Sequence, residues 1–483
     1  MKKLIALIFP IVLLTGCSEW LNVNEDPNNP LDVNADLVLP AAEVSIGTRI
    51  GGTLFNHGGF FAQYWTQAPE ANQYNKIDNY DLNAPFLDRD YIELYAGALN
   101  DLEVIRKKAT EDEDAGMFLV ATVLRAYTFQ LWVDLIDQIP FSEALLGAEN
   151  KAPAYDNGQA VYAALITELT DAIADFNAAA VIELPATDLI FGGDEDDWLG
   201  FANTMLLKLY MRASDVVDYS AQIASLINAD EFITADVALD IFEDQTYKHN
   251  PWYETNKIGL GTVNNIAALP IVNYMSSKSD PRIASLFVDV SGAYVGGVPA
   301  MKQDLTEDYS EPIIGAVQPV YFITMSELEL FKAEAYVRFL SDNASAQASY
   351  EAAIDYNLAL HGLAVDGSTM YGAGMPYAWD GGASDLIEQI AMQKWVCLCL
   401  VNNIEAWFEV RRLDYPVLSA ETPQAIYDDI GVYTTGQLIS PNGNALGFGN
   451  LIKRCPFPEE STRLNVNAPD QVALSVPVWW DVN

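Results

Sequence analysis

The strongest constraint on this chain is a helical pattern that keeps returning. Met117, Val120, Ala121, Leu124, Thr128, Leu131 and Leu135 fall at three- and four-residue steps. That spacing places them on one face of a helix, and such a face is stable only against a partner. Pro140 ends the segment. Glu111, Asp112, Glu113 and Asp114 precede it, where acidic groups suit a helix start. Phe86 to about Lys108 carries a similar pattern and supplies the partner.

The arrangement repeats. Gly158 to Asn177 and Trp198 to Val217 form a second pair, and Met325 to Leu340 with Ala344 to His361 a third. A fourth helical zone runs from Ala383 to about Arg412, and a further helix is expected from about Leu37 to Ile50, with Asn34 and Asp36 as cap candidates. Ala333, Ala335, Ala352 and Ala353 are small enough for close helix packing. The fold class is therefore mostly α: tetratricopeptide-like helix pairs forming a scaffold, with a loop-rich, partly irregular ligand-facing region and little β. The loop-rich parts are an insertion at about 232–319 and the end of the chain at about 413–483. Within the first, Pro319 to Ile323 reads as a short strand.

The beginning of the chain reads as an export signal. Lys2 and Lys3 precede an apolar run from Leu4 to Leu14, too short to span a bilayer. Leu14, Thr15, Gly16 and Cys17 then form a lipobox-like motif. The expectation is a signal peptide over 1–16, lipidation at Cys17 and a lipidated tether over 17–34, rich in Asn, Asp and Pro. No second apolar stretch of spanning length is expected.

Charge and motif content narrow the function. A formal net charge of −42 argues against nucleic acid as a partner, because phosphate binding needs clustered Lys and Arg. His57, His249 and His361 are far apart, and no nucleophile elbow, phosphate loop or dinucleotide fingerprint is present. No cofactor and no metal site are expected. Asp194 to Asp197 reads as an acidic helix cap rather than a calcium loop. Cys397, Cys399 and Cys455 read as buried thiols. Asp134 and Asp137 are expected to bond backbone or arginine. Arg411 and Arg412 are expected to tie the last repeat together through Glu405 or Glu409, and Trp395 and Trp407 to be core.

Several stretches resemble the recurring segments of the SusD/RagB lipoproteins. They are Asn24–Asn28, Leu124–Tyr127, Val133–Ala144, Phe201–Arg212, Glu327–Glu334, Gln393–Trp395, Glu405–Arg412 and Arg454–Pro458. Their order and spacing cover nearly the whole chain after Cys17. Asp137-Gln138 stands where the family often has Gly-Asp, and the acidic patch after the lipidated cysteine is reduced to Glu19.

The resemblance implies one SusD-like domain over 35–483 and no enzymatic activity. It implies a lipid-anchored, surface-exposed outer-membrane protein of a Bacteroidetes-type bacterium. Such a protein captures oligosaccharides and hands them to a TonB-dependent SusC-like transporter. A peptide ligand is the alternative within the family; a surface glycoside hydrolase and a scaffold without ligand are alternatives of other classes.

Ligand residues are expected on loops, where flat aromatic rings stack on sugars and amides bond their hydroxyls. The first stretch offers Tyr64, Trp65, Gln67, Asn72 and Tyr74, the second Trp252 and Tyr253, the third Tyr377 and Trp379. The stretch from Tyr64 to Tyr80 combines aromatics with amides and few charges, which suits a neutral ligand.

Overall fold

The computed structural model describes residues 34–382 and 385–482. Cys17 and nearly all of the expected tether lie outside the described residues.

The chain enters through α1 (Ala35–Ile50), whose start is capped by the Asn34 side chain, and turns into α2 (Thr53–Phe61). A short strand, β1 (Trp65–Gln67), follows. The expected Phe86 helix is a run of changing pitch over 84–99 that leads into α3 (Asn100–Glu111). Next come α4 (Ala115–Ile136), α5 (Gly158–Ala178) and α6 (Glu195–Ala213). α7 (Ser220–Ala229) and β2 (Val237–Leu239) come next, then β3 (Asn265–Ala267) and α8 (Leu269–Ser277). β4 (Val320–Ile323) precedes α9 (Met325–Ala335), α10 (Asn343–Leu360), α11 (Leu386–Cys397) and α12 (Asn403–Leu413).

Neighbouring helices pack as pairs: α3 on α4, α4 on α5, α5 on α6, α9 on α10 and α11 on α12. Side chains set the starts. Asp114 accepts the Met117 N–H at 3.0 Å for α4, and Asp194 accepts the Asp196 and Asp197 N–H groups at 3.1 Å for α6. The run Asp194 to Asp197 is thus an acidic cap. The fourth helical zone is two helices rather than one, because Leu400 adopts φ 57° and its N–H bonds the Asn403 side chain at 2.9 Å. β1 pairs with β3 antiparallel, Trp65 opposite Ala267, and β2 pairs with β4.

α4 corrects one expectation. It is long and apolar enough to cross a membrane, yet its residues are packed inside the protein. It is the central core helix.

A buried charge network crosses the scaffold. Arg212 on α6 meets Asp134 of α4 at 2.7 Å, and Glu405 and Glu409 of α12. Arg412 reaches Glu334 of α9 at 2.5 Å and Glu409 at 2.7 Å. Lys394 of α11 bridges the same two acids, and Lys208 pairs with Glu327 and Glu405. These charges are kept because each faces an opposite one; alone, each would be costly to bury. Arg411 departs from the sequence reading. It donates to the carbonyls of Asp134 at 2.8 Å and Lys453, and its guanidinium lies 3.9 Å from the Trp407 ring centroid. Asp137 accepts the Trp479 N–H at 2.8 Å. Trp395, Trp407 and the thiols of Cys397, Cys399 and Cys455 are buried as expected.

Another acid has no countercharge among the described residues. Glu43 on α1 is fully buried beside Asp188, and its carboxyl is pushed up to about 9 by burial and by Asp188. A raised carboxyl stabilises the fold fully below its unfolded value near 4.5, and that contribution is lost as pH rises through about 9. Asp90, pushed up to about 7 by burial, acts in the same direction. Glu43→Gln should therefore flatten the fall in stability between pH 5 and pH 9, read as the urea midpoint at several pH values. An unchanged slope would exclude Glu43 as its source.

Candidate functional site

The first two aromatic stretches fold onto each other. β1 and β3 bring Trp65 and Trp252 into a stack, with ring centroids 5.6 Å apart and planes at 28°. Asn56 on α2 fixes both: its carbonyl accepts Trp65 Nε1 at 3.1 Å, and its Oδ1 accepts Trp252 Nε1 and Asn265 Nδ2, each at 3.1 Å. Gly59 lets this happen, since a Cβ there would sit 2.2 Å from the Trp65 ring.

Asp78 gathers the loops above. Its Oδ2 accepts from Thr66 Oγ1 at 2.6 Å, from the Gln67 N–H at 2.9 Å and from the Ala300 N–H at 3.1 Å. Burial pushes this carboxyl up to about 6, against the pull of those donors. Gln67 donates to the Asn264 carbonyl at 3.0 Å and accepts the Tyr74 N–H at 2.6 Å. The Tyr74 hydroxyl donates to Asn256 Oδ1 at 2.6 Å. The Ala445 N–H reaches the Asn79 carbonyl at 2.9 Å, so the loop over 440–450 joins the same face.

The result is a loop face rich in amides. Asn72, Gln73 and Asn75 are exposed on it and Tyr74 is half-buried. A hollow of about 140 Å³ lies beside Trp252, lined by Asn256, Lys257 and residues 261–265. Lys257 is paired with Glu311 at 2.8 Å, so the rim carries little free charge. Such a surface offers hydrogen bonds to a neutral polar ligand.

The expected residues therefore separate. Asn72 and Tyr74 stand open at this face, whereas Gln67 and Trp252 are buried beneath it. Gln67 lies on the Asn264 carbonyl and Trp252 against Trp65 and Asn56, which corrects the reading of them as open ligand groups. Tyr64 and Trp65 do not stand open on a loop, which corrects the reading of them as exposed stacking rings. Both are 0% exposed. Tyr64 gives its hydroxyl to the Trp395 carbonyl, and Trp65 is enclosed by Phe55, Phe60 and Trp252. Tyr253 turns to His249, 5.2 Å between centroids. Tyr377 is buried with its hydroxyl on Asp280 at 2.7 Å, and Trp379 packs on Tyr350 and donates to Asn343 at 3.1 Å. The third stretch thus belongs to a different part of the molecule.

Sequence reasoning missed Asn56, Asp78, Asn256 and Asn264. The last two lie in the asparagine-rich insertion, so composition pointed to their neighbourhood. Nothing in the sequence marks Asp78 as a hub. The histidines lie off this face: His57 is buried against Phe86, which pushes its imidazole down to about 3, and His249 bonds Glu254 at 2.5 Å. Burial pushes His361 down to about 4.

Residues 28–432 match the family model SusD-like_2, described as starch-binding and associating with the outer membrane. The chain belongs to the SusD-like family. Its fold is shared by solved SusD homologues. One from Bacteroides uniformis is 19% identical with a TM-score of 0.72, over 94% of this chain and 100% of that one. A chitin-binding SusD homologue from Flavobacterium johnsoniae is 19% identical with a TM-score of 0.72, over 92% of this chain and 97% of the other. A further chitin-binding protein is 20% identical with a TM-score of 0.73, covering 93% and 100%. At these identities the likeness to solved structures concerns the fold. No curated protein sequence matches the chain. In this SusD-like protein the loop face is carried on the α1–α2 side of the helical scaffold, positioned by α2 and β1.

Proposed function

We propose that this SusD-like protein is a non-catalytic glycan-binding lipoprotein of the outer membrane. It is anchored through Cys17, holds a neutral oligosaccharide on the loop face and passes it to a TonB-dependent SusC-like transporter. The observation that carries the reading is the face itself: Tyr74, Asn72, Asn256 and Asn264 gathered at one rim with its lysine neutralised by Glu311. Asp78, buried beneath the face, is occupied by backbone and hydroxyl donors, so it is not poised as one of a hydrolytic pair. Membership in a family described as starch-binding supports a glycan over a peptide. The chitin-binding descriptions of two similar structures support a choice of probes from both glycan types.

Malto- and chito-oligosaccharides should be titrated calorimetrically. One series is expected to bind without release of shorter products. Tyr74→Ala should weaken that binding roughly tenfold, the loss of about 1.4 kcal/mol from one aromatic contact and its hydroxyl. Binding of neither series, unchanged affinity in the variant, or shorter products would each count against this reading.

A further inference from the structure

A second cavity shares no lining residue with the loop-face hollow. It is a polar cleft of about 280 Å³ walled by Tyr274, Tyr350, Tyr377 and Tyr415. α8 supplies Tyr274 and α10 supplies Tyr350, while Asp385, Glu388 and Gln389 come from the cap and first turn of α11. Gly436, at φ 84°, passes so close to Tyr274 that a Cβ would lie 2.9 Å from its ring.

The cleft already holds an ammonium of the chain. Lys278 Nζ lies 5.9 Å from the Tyr274 ring centroid and 5.8 Å from that of Tyr377, and donates to the Pro376 carbonyl at 3.1 Å. The tyrosine walls thus accept a cation over their faces. Two carboxylates, Asp385 and Glu388, line the same cleft, and among the described residues neither forms an ion pair with Lys278. Asp385 and Glu388 are three residues apart at the start of a helix and so point the same way. Asp385 Oδ1 accepts the Ile387 N–H at 2.9 Å, and Oδ2 lies 3.4 Å from the Tyr415 hydroxyl. Among the described residues no lysine or arginine pairs with either carboxylate. The Tyr415 phenol is held above its usual range by burial, then by Asp385 and Glu388. At the same wall Gln389 Oε1 is buried without a hydrogen-bond partner. A cavity with aromatic walls, an uncompensated acid pair and an orphaned acceptor is built for a donor-rich cation.

We propose that this cleft binds a hydroxylated ring carrying a primary ammonium, an amino sugar. Its ammonium sits between Asp385 and Glu388 beside Tyr415, and its hydroxyls meet Gln389 and Lys278. This site is separate from the loop face and does not depend on the glycan bound there.

The test compares glucosamine, N-acetylglucosamine and glucose, three similar rings that differ at one substituent. Binding is read by calorimetry or ligand-observed NMR on the full chain. Wild type is expected to bind glucosamine at least tenfold more tightly than the other two. Glu388→Gln, at an exposed position, should remove that preference while leaving oligosaccharide affinity at the loop face unchanged. Equal binding of all three sugars, no binding of glucosamine, or a preference that survives both Glu388→Gln and Asp385→Asn would overturn the proposal. A wild-type protein that shows the glucosamine preference but binds no oligosaccharide would instead count against the loop-face reading alone.

Discussion

Arg412→Met is expected to destabilise the fold by about 3–5 kcal/mol, the usual cost of removing one partner from a buried ion pair. Arg412 is fully buried, and its guanidinium serves Glu334 and Glu409 together. Methionine fills similar space but leaves two carboxylates with less positive charge around them. Lys394 remains beside both, and Arg338 remains 2.8 Å from Glu334, so the loss should fall short of complete unfolding. The urea midpoint and the melting temperature read it directly. The pH dependence adds a second signature. Arg412 and Lys394 hold the Glu334 and Glu409 carboxyls well below the usual range, against the effect of burial. A depressed carboxyl contributes stability above its unfolded value near 4.5 and loses it as pH falls through the folded value. The variant should therefore show a shallower acid loss. An unchanged midpoint would mean that the network carries no net stability.

Trp65→Ala is expected to cost about 3–5 kcal/mol as well, by a different mechanism. The ring fills the space between α2 and the Trp252 loop and leaves a cavity bounded by Phe55, Phe60 and Gly59 when removed. It also removes the hydrogen bond that Trp65 Nε1 gives the Asn56 carbonyl. The expected observation is a lowered melting temperature, with weakened ligand binding only as a consequence of the displaced loop. A variant as stable as wild type that had lost ligand affinity would restore Trp65 to the binding surface.

This outcome shows where sequence and structure part. The helix pairs were legible because their signal is local: apolar spacing, a cap such as Asp114 and a stop such as Pro140. Their bounds at 115–136, 158–178 and 343–360 follow those cues. α7 and α8 were not read, since short helices inside Asn- and Gly-rich surroundings lack a long apolar stripe. The split between α11 and α12 was hidden because Leu400, an ordinary helix former, takes a left-handed conformation that only tertiary contacts dictate. At the site, composition located the right loops but not the direction of each ring. Trp65 and Tyr74 are close in sequence and equally aromatic. One faces the core because β1 pairs with β3, a strand about 200 residues later. Asp78 became a hub only when Ala300 arrived beside it. Pairings over such distances leave no mark in a local pattern.

The most direct measurement is a crystal structure with the oligosaccharide that binds most tightly in titration. The sugar is predicted to lie across the loop face, in contact with Tyr74 and Asn72 and entering the hollow beside Trp252, intact and uncleaved. An oligosaccharide bound elsewhere, with the face between Tyr74 and residues 261–265 left empty at saturating concentration, would contradict the account.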